Sequence, residues 1–201
     1  KHSLQEDRYV FVSANTAAGS IPGFVYFNDF ELWYWHRNKP TPACEIHNNP
    51  RKHDFVCLNR LHKSWRATAM ADLWRNGLLD NSFWSYRIDI DCGDLPENNP
   101  IELAKLDNIQ TDMQRFLAGT PYVCDDLHPD QHNDHHFVET EFYTQSYCSI
   151  VLETHFDADN SGGAFLTEKV FKAIKHGHPF VVVGCTGTLE TIRKLGYGVF
   201  D

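Results

Sequence analysis

Apolar residues fall along this chain in short separated runs whose spacing switches repeatedly between the strand and the helix period. Tyr9 to Ser13 is a strand candidate, and an aromatic segment from Phe24 to Trp35 follows it. Beyond a polar, proline-marked stretch from Lys39 to Pro50, strands and helices alternate. Phe55 to Leu58 is a short apolar strand. Trp65 to Asn76 has helical spacing and is closed by Gly77, and Phe83 to Ile90 alternates as a strand. After the polar loop Asp91 to Asn99, helices are expected at Ile101 to Leu106, Thr111 to Leu117 and Phe137 to Gln145. Tyr147 to Glu153 is a strand, Thr167 to His176 a helix, Phe180 to Val183 a strand and Leu189 to Leu195 a helix. Such alternation predicts an α/β fold: a Rossmann-like parallel sheet with crossover helices on both faces.

Chemistry concentrates where one of these helices begins. Thr167 is a good N-cap, Glu168 sits in the first turn where the helix dipole favours an acid, and Gly177 is placed to end the helix. A helix start with free N–H groups, with Lys169 at its second position and Ser161-Gly162-Gly163 before it, suits a phosphate. The carboxylate beside that lysine suits sugar hydroxyls. A well-capped surface helix with solvated Glu and Lys is the plainer alternative.

The segment Ser149-Ile150-Val151-Leu152-Glu153, a polar loop, Phe165-Leu166-Thr167-Glu168-Lys169 and the strand Pro179 to Gly184 together resemble the donor-binding region of the α-1,3-fucosyltransferases. In that family a strand ending in Phe-Glu-Asn precedes a Tyr-x-Thr-Glu-Lys helix start, and a Val-Pro-x-Val strand follows. Phe55 to Asn59 followed by Arg66 resembles the family's strand ending in Ser-Asn with an arginine seven residues later. The resemblance covers about Lys52 to Gly184. It extends to glycosyltransferase-like proteins of viruses and bacteria, whose Gly-x-Leu-x-x-Leu ending is matched by Gly187 to Tyr197. It implies that Arg66 contacts the donor nucleotide and that Lys169 and Glu168 meet its diphosphate and ribose. Phe165 stands where the family has tyrosine, and Thr154 where it has asparagine.

On this reading residues 51–201 form a GT-B-type donor domain, truncated at its C-terminus, and residues 1–50 are a linker or the remnant of an acceptor-side domain. Ligands in such folds bind at the carboxyl ends of the strands, where Asn59, Arg66, Glu153, Phe165, Thr167, Glu168 and Lys169 are expected to gather. The donor would be a nucleoside-diphosphate sugar, a GDP-sugar first, and the acceptor a glycan or other hydroxyl. Lysine, arginine and helix amides would stabilise the leaving diphosphate, so that no metal or other cofactor is required. A base for the acceptor is sought by elimination at Asp29 and Glu31, which solvated loop acids would equally explain. Phe27, Phe30, Trp33, Tyr34 and Trp35 are either a sugar-stacking platform or, more simply, a core face.

Composition narrows the setting. The 201 residues are 42% hydrophobic, enough for a substantial core, and no apolar run is long enough to span a bilayer. A net charge of −9 argues against non-specific binding to nucleic acid. Six scattered cysteines (Cys44, Cys57, Cys92, Cys124, Cys148, Cys185) suggest reduced thiols in a cytoplasmic protein. The chain lacks an initiator methionine and stops just after Gly198-Val199-Phe200, so a piece of something longer is expected. His128, His132, His135 and His136, with Asp130 and Asp134, offer metal-ligand chemistry, although proline and asparagine there favour a solvated loop. A metal-dependent hydrolase and a non-catalytic Rossmann-like binding or assembly module are therefore the alternatives to a glycosyltransferase.

Overall fold

The computed structural model of the protein describes residues 11–32, 50–88, 109–124, 140–156 and 163–200. The histidine cluster, Trp33 to Trp35, the helix expected at Ile101 to Leu106, Ser161-Gly162 and most of the proline-marked stretch lie outside these residues. So do the outer ends of the strand and helix calls at Tyr9, Ile90 and Phe137.

Four parallel strands form the main sheet: β3 (His53–Asn59), β4 (Phe83–Tyr86), β5 (Ser146–Leu152) and β6 (Phe180–Val183), in the order β4-β3-β5-β6. The helices that join and cover them are α1 (Ser64–Arg75), α2 (Ile109–Ala118), α3 (Thr140–Gln145), α4 (Glu168–Lys175) and α5 (Thr188–Lys194). Val56 is aligned with Phe83 on one side, and Phe55 with Cys148 on the other.

Side chains alternate across the pleat, so neighbouring strand residues serve opposite layers. Cys57, Tyr86 and Leu152 pack with Trp65, Ala67 and Met70 of α1 and with Ile109 and Phe116 of α2. Their neighbours Val56 and Val151 face the other way, Val56 against Phe142 and Tyr143 of α3 and Val151 against Val170 and Phe171 of α4. Apolar residues on both strand faces thus account for the near-continuous apolar runs in the sequence, and helices cover both sides. The result is a Rossmann-like α/β layer structure. No helix among the described residues is long and apolar enough to cross a membrane.

The chain runs from β3 outward to β4, then returns past β3 to β5. The order therefore reverses between β3 and β5, and at such a reversal a crevice opens beyond the carboxyl ends. Asn59 and Glu153 stand at its two sides.

Ahead of the sheet, the strand expected within Tyr9 to Ser13 is present from Phe11, paired with a second strand that periodicity did not suggest. Strands β1 (Phe11–Ser13) and β2 (Phe24–Tyr26) pair in parallel, with a 3-10 turn at Thr16–Ser20 between them and the Phe11 and Phe24 rings stacked at 5.1 Å. A helical turn at 29–32 follows. This segment packs on residues 163–166: Thr16 N–H donates to the Ala164 carbonyl at 3.1 Å, and Ala164 N–H donates to Thr16 Oγ1 at 2.8 Å. The approach is close because Gly163, at φ +67°, has no side chain; a Cβ there would lie 2.7 Å from the Ala17 nitrogen. Gly163→Ala combines left-handed strain with a backbone clash and is expected to cost about 2 kcal/mol or more, read as a lower denaturation midpoint in urea. An unchanged midpoint would mean that the 15–17 turn does not hold this loop.

Candidate functional site

Glu153 organises the crevice. The residue follows β5, is 1% exposed, and its carboxylate accepts from Thr167 N–H at 3.1 Å, Thr167 Oγ1 at 2.6 Å and Thr154 N–H at 3.1 Å. Its own N–H donates to the Val183 carbonyl at 2.9 Å. Its carbonyl accepts from Arg66 Nη2 at 2.7 Å and Nε at 3.2 Å. One residue thereby joins β5, β6, α1 and the start of α4. Burial pushes the carboxyl pKa up, although Lys169 and the two Thr167 bonds draw it back in part.

Thr167 caps α4 as its sequence context implied: its backbone is extended and its hydroxyl accepts from Lys169 N–H. Gly177, at φ +58°, closes the other end after the capping residue His176. Lys169 Nζ lies 3.0 Å from Glu168 Oε1 and donates to Thr154 Oγ1 at 3.3 Å and Thr167 Oγ1 at 3.4 Å. Burial pushes the Glu168 carboxyl up, but Lys169 and Lys172 together bring it below the ordinary carboxylate value. At neutral pH this acid is ionised beside its lysine.

Arg66 is the unusual member. Its side chain is buried, at 2% exposure, and its bonds go to carbonyls: two to Glu153, and one from Nη1 to Leu61 at 3.3 Å. No carboxylate among the described residues pairs with it. Three acceptor contacts leave two of the five guanidinium N–H groups unused. Burying a cation is costly and lowers its pKa, an effect that the nearby charges of Glu153 and Glu168 offset only in part. Its position is fixed by α1, whose Trp65, Ala67 and Met70 are held in the core.

No family model matches the chain, and neither a curated protein nor a solved structure does. The site is therefore read from its own geometry.

Arg66, Glu153, Thr167, Glu168 and Lys169 are brought together as expected. Phe165 borders them, its ring edge-on to His155 at 5.3 Å and to Phe30 at 6.5 Å. Asn59 is buried at the carboxyl end of β3, where its N–H donates to Ser85 Oγ and its Nδ2 lies against Cys57 Sγ and Met70 Sδ; its Oδ1 has no hydrogen-bond partner among the described residues. The amino-terminal acids stand differently. Asp29 is exposed, whereas the Glu31 carboxylate accepts a hydrogen bond from the Tyr197 hydroxyl. Phe27 is exposed rather than part of a core face.

Sequence reasoning passed over several groups on the same rim. Lys63 leads into α1, and His155 follows Thr154. His62 Nδ1 lies 2.7 Å from the Tyr86 hydroxyl. The signal available was the basic run Arg60-Leu61-His62-Lys63 placed immediately after Asn59. Thiol chemistry is disfavoured here, since burial pushes the Cys57 thiol up to about 12 despite Asn59 and Arg66 nearby.

Proposed function

We infer that this protein is a glycosyltransferase, or the donor-binding part of one, that holds a nucleoside-diphosphate sugar at the crevice between β3 and β5. The reading rests chiefly on Arg66, a buried guanidinium with spare N–H groups and no carboxylate partner among the described residues. Lys169 at the start of α4 supplies a second cation, and the helix amides supply dipoles of the same sign. The resemblance to the α-1,3-fucosyltransferases runs through these same residues and makes a GDP-sugar the first donor to try.

In the transfer, the bond between the sugar's anomeric carbon and the β-phosphate oxygen breaks and its electron pair stays on the diphosphate. The acceptor oxygen bonds to that carbon, and the acceptor's proton passes to a base. Lys169 and Arg66 would neutralise the charge that builds on the departing diphosphate, which is the role a divalent cation plays in other transferases. Glu168, ionised and beside Lys169, is suited to accept from a ribose hydroxyl.

Binding is the direct test. In a thermal-shift and calorimetric screen against GDP, UDP, ADP, CMP and dTDP, one nucleoside diphosphate is expected to stabilise the protein, equally with and without EDTA. Lys169→Ala should weaken that ligand by about tenfold to a hundredfold, as expected for one charge-assisted phosphate contact. Absence of any nucleotide effect would refute the donor-site reading. A binding module that keeps the nucleotide without turning it over is the second reading, favoured by the engagement of Glu31 with Tyr197. A ligand that binds tightly but is never consumed in the presence of acceptors would select it.

A further inference from the structure

His155 holds a place beside the cation cluster that helix capping does not explain. It comes two residues after Glu153, on the loop whose Thr154 N–H bonds the Glu153 carboxylate and whose Thr154 hydroxyl accepts from Lys169 Nζ. Its ring is exposed to solvent on one side and meets the Phe165 edge on the other, which fixes its direction. Neither ring nitrogen has a hydrogen-bond partner among the described residues.

Among the described residues, the charges around it come from α1, α4 and the end of β5. Lys63 and Arg66 approach from the start of α1, and Lys169 from α4; Glu153 at the end of β5 and Glu168 on α4 are the acids of the same cluster. Enclosure of its inner side, followed by Lys63, Arg66 and Lys169, holds the imidazole pKa below the ordinary 6.5. With no anion beside it, His155 is thus neutral at pH 7 among cations. A diphosphate placed on Lys169 and Arg66 reverses the local field, because it brings negative charge into reach of the same ring.

Resting on the donor-site reading above, we propose that His155 is a further ligand for the diphosphate, binding it as an imidazolium alongside Lys169 and Arg66. The proton comes from solvent as the anion enters and returns to solvent when the anion leaves. Ligand binding and proton uptake are then linked, and by linkage the affinity rises as the pH falls through the imidazole range. Proton uptake on binding is largest where the pH lies between the pKa values without and with the anion, and the full gain in affinity is reached below both.

The experiment follows the His155 imidazole by proton NMR as the pH is changed, with and without inorganic pyrophosphate. The resonance is assigned by its contact with the Phe165 ring and by its disappearance in His155→Gln. Pyrophosphate is expected to raise the pKa of this one histidine by about a unit or more, which corresponds to about tenfold in affinity. In calorimetry the wild type should bind pyrophosphate severalfold more tightly than His155→Gln near pH 6, with the gap widening at lower pH, and equally tightly near pH 8. Titration of pyrophosphate itself affects both proteins alike, so the difference between them isolates the histidine. Binding that leaves the His155 pKa unmoved overturns the proposal and spares the donor site. Failure of pyrophosphate to bind the wild type at any pH overturns the donor site, and the proposal with it.

Discussion

Arg66→Met is expected to lose measurable nucleoside-diphosphate binding while still folding. Methionine of similar length keeps apolar bulk beside the Trp65 ring, but it donates nothing to the Glu153 and Leu61 carbonyls that the guanidinium now serves. Leaving these acceptors without their donor costs about 1–3 kcal/mol each. Part of that loss is offset, because the desolvation of a buried cation is removed as well. A net fall of a few kcal/mol is therefore expected in urea denaturation, set against a hundredfold or greater loss in affinity measured by calorimetry below the unfolding range. Arg66→Lys should not restore binding, since an ammonium cannot bridge the Glu153 carbonyl and reach an anion with a planar fork. Full affinity in Arg66→Met would place the ligand elsewhere on the protein.

The second large effect lies at the opposite end of the strands. His178 is 2% exposed; its Nε2 donates to the Ser146 carbonyl at 2.8 Å, and the Ser149 hydroxyl therefore donates to its Nδ1 at 2.8 Å. This arrangement satisfies a neutral imidazole completely. Burial pushes the pKa down from 6.5 to about 4. His176, stacked on the Tyr143 ring at 4.8 Å, is likewise lowered to about 4 by burial. Because the folded values lie below the unfolded ones, the stability is fully present above pH 6.5. It is lost as the pH falls toward 4, where only the unfolded chain takes up the protons. At about 1.4 kcal/mol per pKa unit, His178 alone contributes on the order of 3 kcal/mol to this decline. Urea midpoints taken from pH 7 down to pH 4.5 should fall steeply, and His178→Gln should flatten the curve. A flat profile in the wild type would mean that the histidines are charged in the folded protein.

What could be read from the residues, and what could not, divides along physical lines. The α4 boundaries were legible because they are local: Thr167 caps through its own hydroxyl, and Gly177 stops the helix through its own backbone. The layering was legible because adjacent apolar pairs such as Val56-Cys57 and Val151-Leu152 must face opposite ways. The gathering of Arg66, Glu153 and Lys169 followed once parallel order was assumed, since all lie beyond carboxyl strand ends. Non-local relations were hidden. His176-Gly177-His178-Pro179 reads as a polar turn, and only the sheet shows that both histidines are roofed by Tyr143. Glu31 looked like an available acid because its partner Tyr197 is 166 positions away. The pairing of β1 with β2 escaped notice because two three-residue strands with exposed valines carry no alternation strong enough to mark a face.

The frame around residues 163–166 has a consequence for the order in which the molecule is assembled. Asn28 Nδ2 donates to the Leu166 carbonyl across 138 positions, and Ala164 N–H reaches Thr16 across 148. Closing such spans is slow compared with forming a strand–helix–strand unit such as β5-α4-β6, because the entropy of a long loop must be lost before any contact rewards it. The loop that leads into Thr167 and Lys169 is thus completed after the sheet it sits on. On the donor-site reading proposed above, competence to hold an anion would be a late property of the folding chain, gained only when residues 16–28 have met residues 164–166.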